Sequence, residues 1–183
     1  MNIVISGMKH CGKTTHGRTL ARHWNCPFID TDDLITGLYE KKHGQRLSPR
    51  SIVLTHGEDF FRELEVETVR TLIAGSDESS RQVIALGGGV PANDKIGDDL
   101  KKLGFMVYLK VPPEIIFKRI VKRGLPPFLA GNNPYEKFIE LYKHREQYYN
   151  MYSGLTIEIA QNAPAEETGK IIIKKIEEKL NER

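Results

Sequence analysis

The sequence predicts an α/β fold in three layers, with a parallel sheet of about five strands covered by helices on both faces. Short strand-like stretches alternate with helical stretches through the whole chain, as expected when helices cross over between parallel strands. Several of the strand-like stretches end in glycine or acidic runs, which is typical of ligand-binding edges of such sheets. A length of 183 residues fits one domain with a substantial core, so we expect a single domain over residues 1–183.

The composition excludes several classes of protein. The apolar fraction is 39% and the charged fraction 28%, and no apolar run approaches the roughly 20 residues that span a bilayer. The N-terminus lacks the plan of a signal peptide, and the net charge of +3 is spread evenly rather than gathered into a basic stripe. We therefore expect a cytoplasmic protein with no nucleic-acid or membrane partner, and a monomer.

A glycine-rich segment lies between the first predicted strand, residues 3–5, and the first predicted helix, residues 15–24. Gly7 to Thr14 reads GMKHCGKT and fits the pattern G-x-x-x-x-G-K-[ST]. Glycines let the backbone approach an anion closely, and the N–H groups of such a loop attract phosphate. Lys13 is expected to reach the β- and γ-phosphates, and the Thr14 hydroxyl to bind Mg²⁺. This context favours an ATP-binding P-loop over an ordinary strand-to-helix turn.

The two cysteines, Cys11 and Cys26, indicate neither a disulfide framework nor a structural zinc site. Cys11 lies inside the loop, where a helix N-terminus can favour the thiolate, but it can equally be a passive loop residue. The residues expected to contact ATP in this loop are Gly7, His10, Cys11, Gly12, Lys13, Thr14 and Thr15.

A second strand-like run, residues 27–33, ends in three carboxylates within four residues. Because ligands bind at the carboxyl ends of strands in open α/β sheets, Asp30 and Asp32 should lie near the phosphates if this strand neighbours the first. We expect Thr31 or Asp33 to be the N-cap of the helix that follows over residues 34–42.

The remaining elements follow from hydrophobic spacing and from helix start and stop signals. Ser48 and Pro49, for example, read as an N-cap and a first helical residue. The predicted helices cover residues 49–55, 58–74, 93–103, 114–123, 135–151 and 165–180, and the predicted strands cover residues 82–86, 105–111 and 155–159.

Arg62, in the helix over residues 58–74, has two interpretations. Glu58 and Glu65 stand four and three residues away, so the spacing by itself favours a surface cluster of ion pairs. The alternative is that Arg62 binds a ligand, and it depends on which part of the fold the Arg62 side chain faces.

Two loops carry further signals. Gly87, Gly88 and Gly89 follow the strand over residues 82–86, and three glycines there mean that a helix or a ligand comes very close to the backbone. Residues 123–134 read RGLPPFLAGNNP, without a helical or strand period, and are expected to form a mobile lid that keeps water from a transferring phosphoryl group.

The chain resembles the shikimate kinases, within the nucleoside-monophosphate-kinase-like branch of P-loop folds. The resemblance covers nearly the whole chain and rests on a series of ordered motifs at matching separations. These motifs are Gly7 to Thr15, Phe28 to Asp32 with Ile35, Gly57-Glu58 with Phe61-Arg62 and Glu65, Leu86 to Gly89, Phe128 to Gly131, and Arg145 with Tyr149.

The resemblance implies a P-loop NTPase fold and an activity. ATP would phosphorylate the 3-hydroxyl of shikimate to give shikimate 3-phosphate and ADP, in the pathway to chorismate and the aromatic amino acids. It also implies a substrate-binding region over about residues 31–62 and a lid over about residues 123–134.

Roles for individual residues follow from the same resemblance. Asp32 and Lys13 are the implied catalytic residues, and Asp32 orients or deprotonates the attacking hydroxyl. Asp30 binds Mg²⁺ through water, beside Thr14 as a direct ligand. Arg62 and Arg145 grip the substrate carboxylate, a task that suits bidentate arginines.

The resemblance also assigns groups around these residues. Glu58 and Glu65 become the side chains that orient Arg62. Gly87, Gly88 and Gly89 contact the substrate and the γ-phosphate, and Arg119 lies along the adenine.

Three positions depart from the family pattern. His10 replaces a loop glycine, although histidine adopts left-handed conformations more readily than most residues. Thr36 replaces an acid, and Pro126 replaces the lid arginine that neutralises charge on the transferring phosphate. An arginine in such a role contributes on the order of 10³ to 10⁵ in rate.

The loss of the lid arginine leaves three explanations: Arg123 or Lys122 takes its place, the enzyme is slow, or the substrate differs. Two other functions therefore stand beside the leading one. They are a related small-molecule kinase acting on another hydroxylated anion, and a nucleotide-binding module with degraded catalysis.

Overall fold

The strands and helices alternate along the chain as predicted. The computed structural model describes residues 1–77, 80–160 and 164–182. Within these ranges the strands are β1 Ile3–Ser6, β2 Phe28–Asp30, β3 Val83–Ala85, β4 Phe105–Lys110 and β5 Leu155–Glu158. The α-helices are α1 Lys13–His23, α2 Thr31–His43, α3 Pro49–His56, α4 Glu58–Ala74, α5 Asp99–Leu103, α6 Pro113–Arg123, α7 Pro134–Tyr152 and α8 Ala165–Asn181. Val90–Ala92 and Pro127–Leu129 form short 3₁₀ turns.

The five strands form one parallel sheet in the order β2-β3-β1-β4-β5. β1 is the central strand, with Ile3 opposite Val83 on one side and Phe105 on the other. The predicted fold class is confirmed. β2 neighbours β3 rather than β1, yet all carboxyl ends share one edge because every strand is parallel.

Both faces of the sheet are covered, which explains why its strands are continuously apolar. Ile3, Val4 and Ile5 are β-branched residues with no exposed surface. Side chains alternate across the sheet, so Ile3 and Ile5 pack in a cluster that includes residues of α1 and α8. Val4 packs on the other face in a cluster with residues of α4 and α5. The result is the three-layer arrangement that the alternation predicted.

A separate small cluster joins α2, α3 and α4 beside the sheet. Ile35, Tyr39, Ile52 and Leu64 are buried together there. Ser48 caps α3, accepting a hydrogen bond from the N–H of Ser51 at 3.1 Å as its sequence predicted. This cluster fixes the positions of Asp32 on α2 and Arg62 on α4.

The prediction of a continuous helix over residues 93–103 is wrong. Only α5, Asp99–Leu103, is α-helical in that segment. Asn93 binds other parts of the chain instead, donating to the Arg62 carbonyl at 3.0 Å and to the Glu65 carboxylate at 3.1 Å. Gly97 has a φ of 47°, a left-handed conformation that interrupts any helix.

The predicted lid is tethered to the rest of the protein by side chains. Leu129 is 2% exposed and packs in the larger cluster, and the Lys137 ammonium donates to the Ala130 carbonyl at 3.0 Å. Phe128, its neighbour, points outward and is 63% exposed. None of the helices in the described part of the chain has the length and apolar character needed to cross a membrane.

Candidate active site

The glycine-rich loop joins β1 to α1 and curls around the side chain of Lys13. Gly7 and Gly12 have φ values of 139° and 105°, which side-chain-bearing residues rarely adopt. Lys13 is the first residue of α1, and its ammonium donates to the carbonyls of Gly7 at 2.9 Å and Met8 at 3.0 Å. The loop therefore presents backbone N–H groups and a helix N-terminus around a cation, which is an arrangement for binding phosphate.

His10 adopts the left-handed conformation that its position in the loop requires, with a φ of 69°. The Arg119 guanidinium of α6 donates to the His10 carbonyl at 2.8 Å and braces the loop. Burial, together with the charges of Arg123, Lys9, Lys13 and Arg119, lowers the pKa of His10 to about 4. Four cations thus converge on this loop, as a triphosphate site requires.

Thr15 and Cys11, which were both predicted to contact ATP, differ in the exposure of their side chains. Thr15 is exposed at the start of α1, where a nucleotide can reach it. Cys11 is 2% exposed, and its sulfur lies 2.9 Å from where a side chain on Gly7 would begin. The geometry favours the passive interpretation of Cys11, because its thiol fills the space beneath the loop.

Asp30 stands at the junction of β2 and α2 and makes two contacts. One carboxylate oxygen accepts from the Thr14 hydroxyl at 2.9 Å, and the other accepts from the Asp32 N–H at 3.1 Å. Asp30 is therefore the N-cap of α2, and the prediction that Thr31 or Asp33 has this role is wrong. The extended backbone of Asp30 allows its side chain to reach the first turn, whereas Thr31 is already helical.

The pairing of Thr14 with Asp30 fits Mg²⁺. This ion prefers oxygen ligands and keeps several waters, so one hydroxyl and one nearby carboxylate are a sufficient protein contribution. Both groups lie at the phosphate-loop end of α1, beside Lys13. The two side chains meet, and their role in binding Mg²⁺ stays a prediction.

Asp32 lies in the first turn of α2 and faces the glycine run. One of its carboxylate oxygens is 2.8 Å from where a side chain on Gly87 would begin. Burial raises the pKa of Asp32, as do the charges of Asp30 and Asp33, while Lys13 and Lys9 oppose the rise. A carboxylate with a raised pKa beside the phosphate loop suits a group that accepts a proton.

Arg62 is held by two carboxylates and lies against the glycine run. It donates to Glu58 at 2.6 Å and to Glu65 at 2.8 Å, so the ion pairs suggested by the spacing are present. Its guanidinium also contacts the position that a side chain on Gly89 would fill. The ion pairs with Glu58 and Glu65 are therefore present, and they hold the Arg62 guanidinium against the glycine run, where a ligand could bind.

Glu65 and Asn93 support Arg62 from below, and the sequence indicated only the first of them. Glu65 is 2% exposed and binds both Arg62 and the Asn93 amide. Burial raises the pKa of Glu65, and the charges of Arg62 and Arg145 counter that rise. The i,i+3 spacing pointed to the contact of Glu65 with Arg62, but no local signal marked Asn93.

Arg145 reaches the same glycines from α7. Its guanidinium lies 3.6 Å from where a side chain on Gly88 would begin. Tyr149, one turn further along α7, donates its hydroxyl to the Gly88 carbonyl at 2.6 Å. Arg62 and Arg145 therefore flank the glycine run, as a pair that could hold one anionic group between them.

Comparisons with known proteins point to one family. The shikimate kinase family model matches residues 9–179. A shikimate kinase of Clostridium botulinum (strain 657 / Type Ba4) is 42% identical over 151 residues, covering 81% of this chain and 82% of that protein. A shikimate kinase of Caldanaerobacter subterraneus subsp. tengcongensis is 34% identical over 171 residues, covering 93% and 94%.

A solved structure extends the agreement to the fold. The shikimate kinase of Acinetobacter baumannii in complex with shikimate superposes with a TM-score of 0.79 at 32% identity, covering 98% of this chain and 94% of that one. Sequence, fold and family model agree over most of the chain, and the protein belongs to the shikimate kinase family.

Proposed function

We propose that the protein transfers the γ-phosphoryl group of ATP to the 3-hydroxyl of shikimate, giving shikimate 3-phosphate and ADP. One observation carries the proposal. The glycine run over residues 87–89 brings Asp32, Arg62 and Arg145 together beside the loop that holds Lys13. A phosphate-binding half and a carboxylate-binding half thus meet at one edge of the sheet, as a two-substrate kinase requires.

The donor half of the site holds the nucleotide. The loop N–H groups and Lys13 bind the β- and γ-phosphates, and Arg119 lies beside the loop where the adenine is expected. Thr14 and Asp30 would hold Mg²⁺, since their side-chain oxygens meet beside Lys13. The ion would supply positive charge that offsets the negative charge developing on the phosphates during transfer.

The acceptor half holds shikimate, a small anion with one carboxylate and three hydroxyls. Arg62 and Arg145 bind the carboxylate from two sides, and Glu58 and Glu65 keep Arg62 in place. Asp32 then orients the 3-hydroxyl and accepts its proton. The lid over residues 123–134 excludes water from the transferring group.

A single chain supplies every group in this scheme, which supports a monomer built as one domain. Both cysteines are free thiols, which supports a reducing compartment, and we place the protein in the cytoplasm.

The test is ADP release measured with ATP, Mg²⁺ and a panel of acceptors: shikimate, gluconate and nucleoside monophosphates. Among these acceptors, we expect only shikimate to support ADP release. We expect that ADP release to stop when EDTA removes Mg²⁺. Lys13→Met is the control for a contaminating kinase, because it should remove turnover with every acceptor.

Other outcomes identify the alternatives. Turnover with gluconate but not with shikimate would indicate a kinase for another hydroxylated anion. Nucleotide binding without turnover on any acceptor would indicate a binding module that has lost catalysis.

A further inference from the structure

The resemblance to shikimate kinases implies an arginine in the lid at the position of Pro126, and proline carries no charge. The neighbours of Pro126 in the lid are Leu125, half-buried, and Pro127. Leu129 anchors the lid in the core, so the segment cannot move far as a unit without exposing that side chain. If the proposed function holds, the charge that develops in the transition state must be met from another part of the protein.

Two groups of cations surround the phosphate loop. On α6, Arg119 is already bonded to the His10 carbonyl, and Arg123 lies one turn further along with its charge acting on His10. On the loop itself, Lys13 is bonded to the carbonyls of Gly7 and Met8. The remaining loop cation is Lys9, which the sequence did not mark because the motif leaves its position open.

Lys9 lies where the donor and acceptor halves meet. Its backbone nitrogen is 3.2 Å from where a side chain on Gly88 would begin, and the Arg145 guanidinium approaches the same point. Its side chain is exposed, and none of the ion pairs formed within the described ranges includes it. An ammonium in this place is free to bind an incoming anion.

The charge of Lys9 acts on the phosphate loop. Burial is the main influence that lowers the pKa of His10, and the charges of Arg123, Lys9 and Lys13 lower it further. Lys9 therefore lies within electrostatic reach of the phosphate side, while its backbone lies against Gly88 on the acceptor side.

We propose that Lys9 supplies the positive charge at the transferring phosphoryl group, in place of a cation from the lid. During transfer the acceptor oxygen bonds to the γ-phosphorus, and the bond from that phosphorus to the bridging oxygen breaks, leaving its electron pair on ADP. The hydroxyl proton goes to Asp32. Lys9 donates hydrogen bonds to the γ-phosphoryl oxygens as the transfer proceeds.

Lysine can fill this role from a loop position where arginine would need a lid. Its ammonium is a compact point charge on a flexible stem, so it reaches the phosphoryl oxygens without a fixed planar approach. The ammonium forms no bidentate pair with the phosphoryl oxygens, so its contribution to the rate should lie below the factor of about 10³ to 10⁵ that an arginine contributes. We expect a contribution on the order of 100-fold in kcat.

The test compares Lys9→Met, Lys9→Arg and Lys175→Met, in which Lys175 is an exposed lysine of α8. We expect Lys9→Met to lower kcat by about 100-fold while KM for shikimate changes less than about threefold. Lys9→Arg should keep most of the turnover, and Lys175→Met should match the unmodified protein. Circular dichroism melts check that the variants are folded.

A second pair of variants addresses the lid directly. Pro126→Arg should raise kcat by about tenfold or more when added to Lys9→Met, and much less when added to the unmodified protein, because one cation then replaces the other. If Arg123→Met loses turnover and Lys9→Met does not, the cation comes from α6 and the proposal is wrong.

A binding measurement separates this proposal from the proposed function. Calorimetry with ADP and with a non-hydrolysable ATP analogue reports on the γ-phosphate without needing turnover. We expect Lys9→Met to raise the Kd of the ATP analogue about tenfold or more and to leave the Kd of ADP unchanged. Equal binding of the analogue by both proteins would overturn the role of Lys9, whether or not shikimate proves to be the acceptor.

Discussion

At the scale of single residues, two aspartates separated by one position have different surroundings because a helix begins between them. Asp30 ends β2 in an extended conformation, caps α2 and meets the Thr14 hydroxyl. Asp32 is already helical and turns its carboxylate to Gly87. Burial raises the pKa of Asp32, which suits a residue that accepts a proton.

The exchange Asp32→Asn tests the proposal that Asp32, and not Asp30, accepts the proton of the attacking hydroxyl. It preserves size and hydrogen bonding but cannot accept a proton, so kcat should fall by about 10² to 10⁴. Binding of Mg²⁺ and ADP, measured by calorimetry, should stay close to that of the unmodified protein. Asp33→Asn is the matched control, because Asp33 is an exposed carboxylate in the same helical turn.

A loss of nucleotide binding in Asp32→Asn would mean that the roles of the two aspartates are reversed. In that case Asp30→Asn would show the catalytic defect.

At the scale of elements, the glycine run joins the parts of the site. Gly87 adjoins Asp32 of α2, Gly88 adjoins the phosphate loop and α7, and Gly89 adjoins Arg62 of α4. Side chains of α2 and α7 help to hold the run in place: the Gly87 N–H donates to the Thr31 hydroxyl at 2.8 Å, and the Gly88 carbonyl accepts from the Tyr149 hydroxyl. The run lacks side chains because other groups occupy the space that they would need.

Gly89→Ala should displace Arg62 and weaken the binding of shikimate. Gly89 has a φ of −95°, which alanine also adopts, so the effect arises from contact with the guanidinium and not from the backbone. A charged hydrogen bond is worth about 1.5–3 kcal/mol, which corresponds to a rise of roughly 10- to 100-fold in KM for shikimate.

The control is Gly75→Ala at the end of α4, where an added side chain meets only an ordinary contact. Steady-state kinetics at saturating ATP gives the comparison. An unchanged KM in Gly89→Ala would show that Arg62 does not bind the substrate.

At the scale of the whole molecule, parallel strands bring distant segments to one edge of the sheet. The phosphate loop follows β1, Asp30 ends β2 and the glycine run comes just after β3. All three lie at carboxyl ends of strands, where open α/β sheets bind ligands. α2, α3 and α4 then form the small cluster that carries Arg62 to the same edge.

Nucleotide binding at this edge should stabilise the entire fold, because the loop joins the central strand to α1. With Mg²⁺ and ADP at about 100 times Kd, mass action adds about 2.7 kcal/mol to the free energy of unfolding. For a chain of this length the midpoint of thermal unfolding should rise by about 5–10 °C.

Differential scanning calorimetry measures that rise with and without Mg²⁺ and ADP. The variant Lys13→Met should show a clearly smaller shift. The same shift in both proteins would place the nucleotide outside the predicted loop.

The sequence by itself determined the family and most of the elements. The bounds of α4, the cap at Ser48 and the loop from Gly7 to Thr14 follow from local spacing, and local spacing depends on residues a few positions apart. The motifs from the phosphate loop to Tyr149 indicated a shikimate kinase, and the family model and relatives confirmed it.

Only the tertiary structure decided which residues meet across the site. It placed β3 between β1 and β2, made Asp30 the cap of α2, and turned Asn93 toward Arg62 and Glu65 instead of into a helix. It also placed Lys9 against Gly88. These contacts join positions far apart in the chain, and their geometry depends on how the sheet and helices pack, which no local pattern of residues records.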